Sequence, residues 1–287
     1  MLTSIIGVLY DGFAYGMLLF VLSVGLSVTL GMMNFVNLAH CAFAMLGGYV
    51  TVTLINHLGW PFLATLPVSF LVAGLVSILF ERTLYRHLYG KSDLDHCLLT
   101  IGIVFVAIAS AAYVFGTLQQ PVRLPPWLRG TWIVGDLTLG VYRAFLIGFG
   151  LSLMVLLVYM LEYTRFGAVV RAAVDNQRMA RGLGINVDRV FMLTFALGSG
   201  LAGLGGSLAI EIVGLDHSFA LHYLIYVLIV VSVGGMGSIW GSFAAAVVLG
   251  VSDIAGKYWF PQLGSFLIYL VMVGILMWRP LGLFGKR

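Results

Sequence analysis

The stretch NFVNLAHCAF, Asn34 to Phe43, decides how this chain is read. It sets two asparagines and a histidine within seven residues, between long runs of Leu, Val, Ala, Gly and Phe. It is either a loop between two membrane helices or a polar site held inside the membrane. The surrounding composition makes a membrane the setting. Of 287 residues, 61% are hydrophobic and only 9% charged, where a soluble domain carries about 25% charged residues. Mean hydropathy is +1.06. Too few charges remain to cover a water-soluble core of this size.

Outward from that stretch, apolar segments fall at about 5–32, 38–57, 62–80, 96–118, 143–162, 190–212, 222–236, 239–255 and 263–279. Most approach or exceed the roughly 20 residues a bilayer crossing needs. Eleven of the fifteen Lys and Arg lie in three clusters, Arg82 to Lys91, Arg165 to Arg189 and Arg279 to Arg287. The positive-inside rule places these in the cytoplasm. Trp60, Trp127, Trp132, Tyr142, Tyr258 and Trp259 mark the opposite interface. The expected fold is therefore an all-α polytopic transmembrane bundle. It has about seven to nine spans with broken or re-entrant helices, an external N-terminus and a cytoplasmic C-terminus. Parity requires an odd count: nine crossings, or seven if 222–255 dips in and out. The stretch 119–142, rich in Pro, Gly and Trp, reads as a structured external loop. Residues 1–287 are expected to form one membrane domain, with no cleavable leader at the N-terminus.

Several chemistries are excluded or left without support. Cys41 and Cys97 have neither CxxC nor metal-ligand spacing, so no disulfide framework or zinc site is indicated. Gly90-Lys91-Ser92 lacks the first glycine of a phosphate loop, since Tyr85 stands there; Gly250 and Gly256-Lys257 are spaced by five residues and followed by Tyr258. Any ATP hydrolysis would therefore have to take place on a partner. The membrane carboxylates Asp11, Glu211 and Asp253 have no partner at catalytic spacing, and all three are placed toward the external end of a span, where water is near. Interfacial solvation is the expected state, and Glu211 the best candidate for a functional one.

Two Gly-rich breaks, Gly31 to His40 and Gly234 to Gly241, each join an apolar run to a new helix. Such breaks are either tight turns or places where freed backbone groups face a cavity. Gly12 with Gly16, and Gly198, Ala202 and Gly206, form stripes suited to close helix packing. In the cytoplasmic loop at about 163–189, Phe166, Val169, Val170, Ala173 and Val174 make one apolar helical face. Gly182 to Gly184 is expected to end that helix. The face suits lipid headgroups or a partner's groove, and Asp175, Asn176 and Gln177 favour the partner.

Together the motifs resemble the permease subunits of branched-chain amino acid type ABC importers. The resemblance runs through NLAH (Asn37–His40), MLGGY (Met45–Tyr49), ERTLYR (Glu81–Arg86), TRFGAVVRAA (Thr164–Ala173), GLGINVDRVFMLTFALGSGLAGLGG (Gly182–Gly206), GGMGSIWG (Gly234–Gly241) and RPLGLFG (Arg279–Gly285). It implies a multi-pass protein of the bacterial inner membrane working with a second permease, two cytoplasmic ATP-binding subunits and an external solute-binding protein. ATP and Mg would sit on the partners, with no cofactor, metal, catalytic residue or nucleic acid for this chain. It also implies a translocation pathway near Asn34, Asn37, His40, Gly234, Gly235, Gly237 and Ser238, with Glu211 added from its position. The loop would couple to the ATPases through Arg165, Gly167, Arg171, Gly182, Gly184 and Ile185. Cys41 stands where members commonly carry Gly, and Tyr226 where those for branched-chain amino acids often carry Lys. The implied solute is accordingly a small amino-acid-like molecule, with urea, amides and carboxylic acids open. The alternative is an ion-coupled secondary transporter, which predicts buried ionisable pairs.

Overall fold

The computed structural model describes residues 2–33, 37–87, 92–135 and 137–285. Among them the chain runs α1 (Leu2–Met33), α2 (His40–Leu58), α3 (Phe62–Thr83), α4 (Asp93–Phe115), β1 (Thr131–Val134), β2 (Leu137–Gly140), α5 (Val141–Val158), α6 (Arg165–Asp175), α7 (Gln177–Gly182), α8 (Val187–Val213), α9 (Phe219–Gly234), α10 (Ile239–Trp259) and α11 (Gly264–Trp278). Each of the nine apolar segments is a helix. Seven helices are long and apolar enough to cross a membrane, and α9 and α11 are shorter. The loop 119–142 does carry structure: an antiparallel hairpin pairs Thr131 with Gly140 and Trp132 with Leu139. This is a small β addition to the expected all-α architecture.

Close backbone approach organises the bundle. α1 is almost wholly buried at its centre, packing on α10, α8 and α5, while α8 packs on α2 and α3. A Cβ at Gly12 would meet the Val251 backbone at 2.7 Å, and one at Gly16 the Ala246 carbonyl oxygen at 2.8 Å. Positions Gly47 and Gly203 abut each other, and Gly206 abuts the backbone of Ala44. In lipid, where apolar burial between helices gains little, such contact is the main source of cohesion. Both small-residue stripes are therefore spent inside the chain. Buried hydroxyls add cross-links: Thr51 Oγ1 donates to Ser207 Oγ at 2.9 Å, and Ser207 Oγ lies 2.8 Å from Ser69 Oγ.

The segment 222–255 is a hairpin of two helices. Its tip lies at Gly235–Ser238, where Gly234 packs on Gly241. α9 has 16 residues, a rise of about 24 Å, short of the roughly 30 Å hydrocarbon layer. The shortfall is taken up by the α8–α9 connection, which descends into the bundle. Leu215 is fully buried, and its methyls lie against Gly48 halfway along α2. The Leu215 carbonyl is satisfied there, since Gln120 N donates to it at 2.8 Å.

Candidate translocation and coupling sites

The two polar breaks singled out in the sequence meet. A Cβ on Gly237 would stand 2.6 Å from the Cα of Gly31, and Ser27 Oγ donates to the Ser238 carbonyl at 3.5 Å. Gly237 has φ +80 and Gly235 φ +95, a region that only glycine occupies without strain. Gly235 also packs against Gly285, and Leu283 N and Phe284 N donate to the carbonyls of Val233 and Gly234. The chain's last described residues are thereby stitched to the hairpin tip. Ser238 Oγ accepts from Gly241 N at 3.0 Å and caps α10.

Asn37 and His40 sit among protein atoms. Asn37 Oδ1 accepts from Ala39 N at 3.0 Å and from the Tyr85 hydroxyl at 3.1 Å. His40 Nε2 donates to the Leu22 carbonyl at 2.9 Å. Both are buried, so in this conformation they tie α2 to α1 and to the segment after α3. Asn34 lies outside the described residues, and the start of α2 uses Asn37 as its polar anchor. Tyr85→Phe removes one buried hydrogen bond and is expected to cost about 1 kcal/mol, read as a lowered unfolding midpoint in detergent.

Gly237 and Ser238 line a cavity of about 560 Å³ together with Gly31, Glu162, Arg171 and Asp175. It opens at the end of the bundle where the basic clusters gather, between the hairpin tip and the loop. An apolar cleft of about 670 Å³ runs between α2, α3 and α4, lined in part by Phe43, Met45 and Tyr49 of the quoted motifs but by none of the candidate pathway or coupling residues. Glu211 is exposed in the last turn of α8, with Arg129 as the cation facing it.

The loop at 163–189 is two helices, not one. α6 ends at Asn176, whose side chain accepts from Met179 N at 2.9 Å and caps α7. A polar residue that suggested a partner is thus a cap. Gly184, at φ +83, closes α7: its N–H donates to Arg181 O and Ile185 N donates to Ala180 O, each at 3.0 Å. This is the Schellman pattern, and Ile185 then packs inward. The predicted apolar face is absorbed by the chain itself, in a small core of Val170, Ala173, Ala180, Val187 and Val190 with Phe166, Val169, Val174 and Ile185 against it. Gly167 packs on the backbone of Leu161, and Arg171 donates to the carbonyls of Leu161 and Glu162 at the π-helical end of α5. Arg165 and Gly182 are exposed. What remains outward at the tip is apolar: Met179 is 63% and Leu183 76% exposed. Neither was read from the sequence, because both fall outside the face that the periodicity picks out.

The carboxylates also differ from expectation. Asp11 pairs with Arg143 at 2.5 Å, joining α1 to α5. Asp253 is not interfacially solvated. It is 0% exposed and pairs with Lys257, one turn on, at 2.5 Å. The i, i+4 spacing of Asp253 and Lys257 was the available signal for this pair.

A helical bundle cross-linked by glycines, with a capped loop at its basic end, is the frame of a membrane permease. The chain belongs to the family described as branched-chain amino acid transport system / permease component, whose model matches residues 8–276. It is the permease subunit of an ABC importer and a multi-pass protein of the bacterial inner membrane. The high-affinity branched-chain amino acid transport system permease protein LivH of Escherichia coli K12 is 25% identical, covering 97% of this chain and 94% of its own. LivM, named as a permease protein of the same transport system in the same organism, is 26% identical over 93% of this chain and 68% of its own. A chain in the solved structure of PsaBC from Streptococcus pneumoniae in complex with Fab covers 96% of this chain and 94% of its own, at 15% identity and TM-score 0.48.

Proposed function

We propose that this chain, with a second homologous permease, carries branched-chain amino acids or a closely related amino-acid-like solute into the cytoplasm. Two separate ATP-binding subunits would drive it, and an external binding protein would deliver the solute. The observation that carries the reading is the family match over nearly the whole chain. LivH and LivM, two permease proteins named for one transport system, support a paired assembly.

The coupling role falls to α6 and α7. An ATPase needs a rigid projection that it can grip, and the self-contained core under α6 provides one. Met179 and Leu183 supply the apolar anchors that a partner's groove would bury, the kind of contact that dominates interface energies. The Met179→Glu, Leu183→Asp double variant is expected to weaken ATPase association at least tenfold, measured by co-purification and by ATP-dependent uptake in proteoliposomes. Undiminished association would remove this tip from the interface. The cavity at Gly237, Ser238 and Arg171 would lie at the inner end of the pathway. Transport by the chain alone in vesicles without ATP would defeat the whole reading.

The ion-coupled alternative acquires one observation in its favour, the buried Asp253–Lys257 pair. It predicts uptake that collapses with the ion gradient and persists without ATPase subunits.

A further inference from the structure

α4 is the least buried of the seven long helices and packs only lightly, on α2 and α9. Behind it runs the apolar cleft of about 670 Å³, with Phe43 and Met45 of α2 at its base and Phe80 of α3 on the facing wall. The cleft follows α4 from Leu98 to Phe115, about 25 Å of helix. Among its lining residues Tyr49 and Ser110 carry hydroxyls, and neither is available. Ser110 Oγ donates to the Val106 carbonyl at 2.7 Å. The Tyr49 hydroxyl is buried, and its ring stacks on Phe115 with centroids 4.2 Å apart. Water needs several polar partners to stay in such a place; hydrocarbon needs none. A helix crossing the bilayer displaces about 2,400 Å³, several times the volume at hand. An extended acyl chain is slim enough, and the ~15 Å depth of one leaflet fits within the cleft's length.

One end of the cleft is polar. Leu84, Leu98 and Leu99 line it where the basic cluster at 82–91 gathers. Arg86 is exposed and stands two residues past Leu84, at most about 7.6 Å away along the backbone. Its guanidinium has no hydrogen bond or ion pair among the described residues. The neighbouring acids are engaged: Glu81 is buried and partnered, and Asp95 accepts from Ser92 N and Ser92 Oγ.

We propose that the cleft binds a glycerophospholipid from the leaflet at the basic end, one acyl chain along α4 and the phosphate at Arg86. A guanidinium grips phosphate through paired donors, and basic pockets between membrane helices hold lipid headgroups by the same chemistry. The chain would give α4 the van der Waals contact that its neighbours do not supply. The lipid is then part of the fold rather than cargo, whatever solute the assembly carries.

The test places the complete importer in vesicles of phosphatidylethanolamine and phosphatidylglycerol, doped with a phospholipid whose acyl chain carries a diazirine. After irradiation, labelled peptides are located by mass spectrometry. Leu71, Leu75 and Leu79, on the exposed face of α3, report bulk lipid. Label is expected there and also on residues 42–49 of α2, where Phe43 and Met45 are buried. Gly102→Phe sets a ring in the cleft wall, where a Cβ meets nothing within 4 Å. It is expected to cut the α2 label at least fivefold and leave the α3 label unchanged. Arg86→Ala should cut the α2 label several-fold. A diazirine diacylglycerol, with the chains but no phosphate, should label α2 at least threefold less than the phospholipid does. Label on α3 with none on α2 overturns the site. If α2 is labelled only when the second permease is left out, that permease is the occupant and the lipid site is overturned. An undiminished α2 label in Gly102→Phe overturns it too. Equal labelling by phospholipid and diacylglycerol, unchanged by Arg86→Ala, overturns the phosphate contact. The native protein supplies the first and last comparisons, so a variant that fails to assemble leaves the decision with them. None of these readouts is transport, so the site and the transport reading stand or fall separately.

Discussion

Gly206→Ala is expected to destabilise the chain by about 1–3 kcal/mol, the usual range for overpacking, and to lower its unfolding midpoint in detergent accordingly. The added methyl would overlap the carbonyl oxygen of Ala44 on α2, a backbone atom that cannot rotate away. α2 and α8 must then separate, and the separation propagates. Gly47 against Gly203, one turn along, loses its close approach, and so does the Thr51–Ser207–Ser69 hydroxyl contact. Gly148→Ala is the matched control. Nothing lies within 4 Å of a Cβ at that position of α5, and glycine is the weaker residue in a helix interior by about 0.5–1 kcal/mol. Equal behaviour of the two variants would show that glycine packing is not what holds α8.

Arg171→Glu is expected to reduce co-purification of the ATPase subunits severely while leaving membrane insertion intact. Arg171 is exposed, yet it is not a free docking charge, since its guanidinium donates to the carbonyls of Leu161 and Glu162. Those oxygens belong to the π-helical turn Tyr159–Tyr163 that follows α5, where carbonyls lack intrahelical donors and the dipole favours a cation. Solvent screens the bond at this exposed position, so it contributes more to the geometry of the joint than to stability. Glutamate removes it and sets a negative charge against a negative helix end. The effect on the ATPase would be indirect, through the angle at which α6 leaves α5. Arg171→Lys, which keeps the charge but not the fork of donors, should retain part of the association. Unchanged co-purification of the Glu variant would detach this joint from coupling.

Helix positions were legible because runs such as 5–32 and 190–212 are long and apolar with a single carboxylate each, Asp11 and Glu211, and the bilayer tolerates little else. The stretch from Asn34 was legible as a break. Its meaning was not, because a polar side chain near a helix start looks the same whether it caps, anchors or lines a path. Asn37 became an anchor only once Tyr85, forty-eight residues on, was seen to reach it. The descent of 214–218 was hidden for a similar reason: Leu215 differs from any loop leucine only in finding Gly48 opposite. At Asp253, which the sequence reading left solvated, Lys257 one turn away was within reach of local spacing. The loop's periodicity was read correctly, but a pattern says that a face is apolar and not what covers it.

That covering has a mechanical consequence. With α6 bolted to the root of α5 by Arg171, and α7 cemented to the base of α8 by Val170, Ala180 and Val187, the loop is a stiff crank rather than a tether. A push at Leu183 cannot be absorbed by bending at the loop. It is delivered as torque to α5 and α8 at once, and α8, locked to α2 and α3 along its glycines, would turn them as one body.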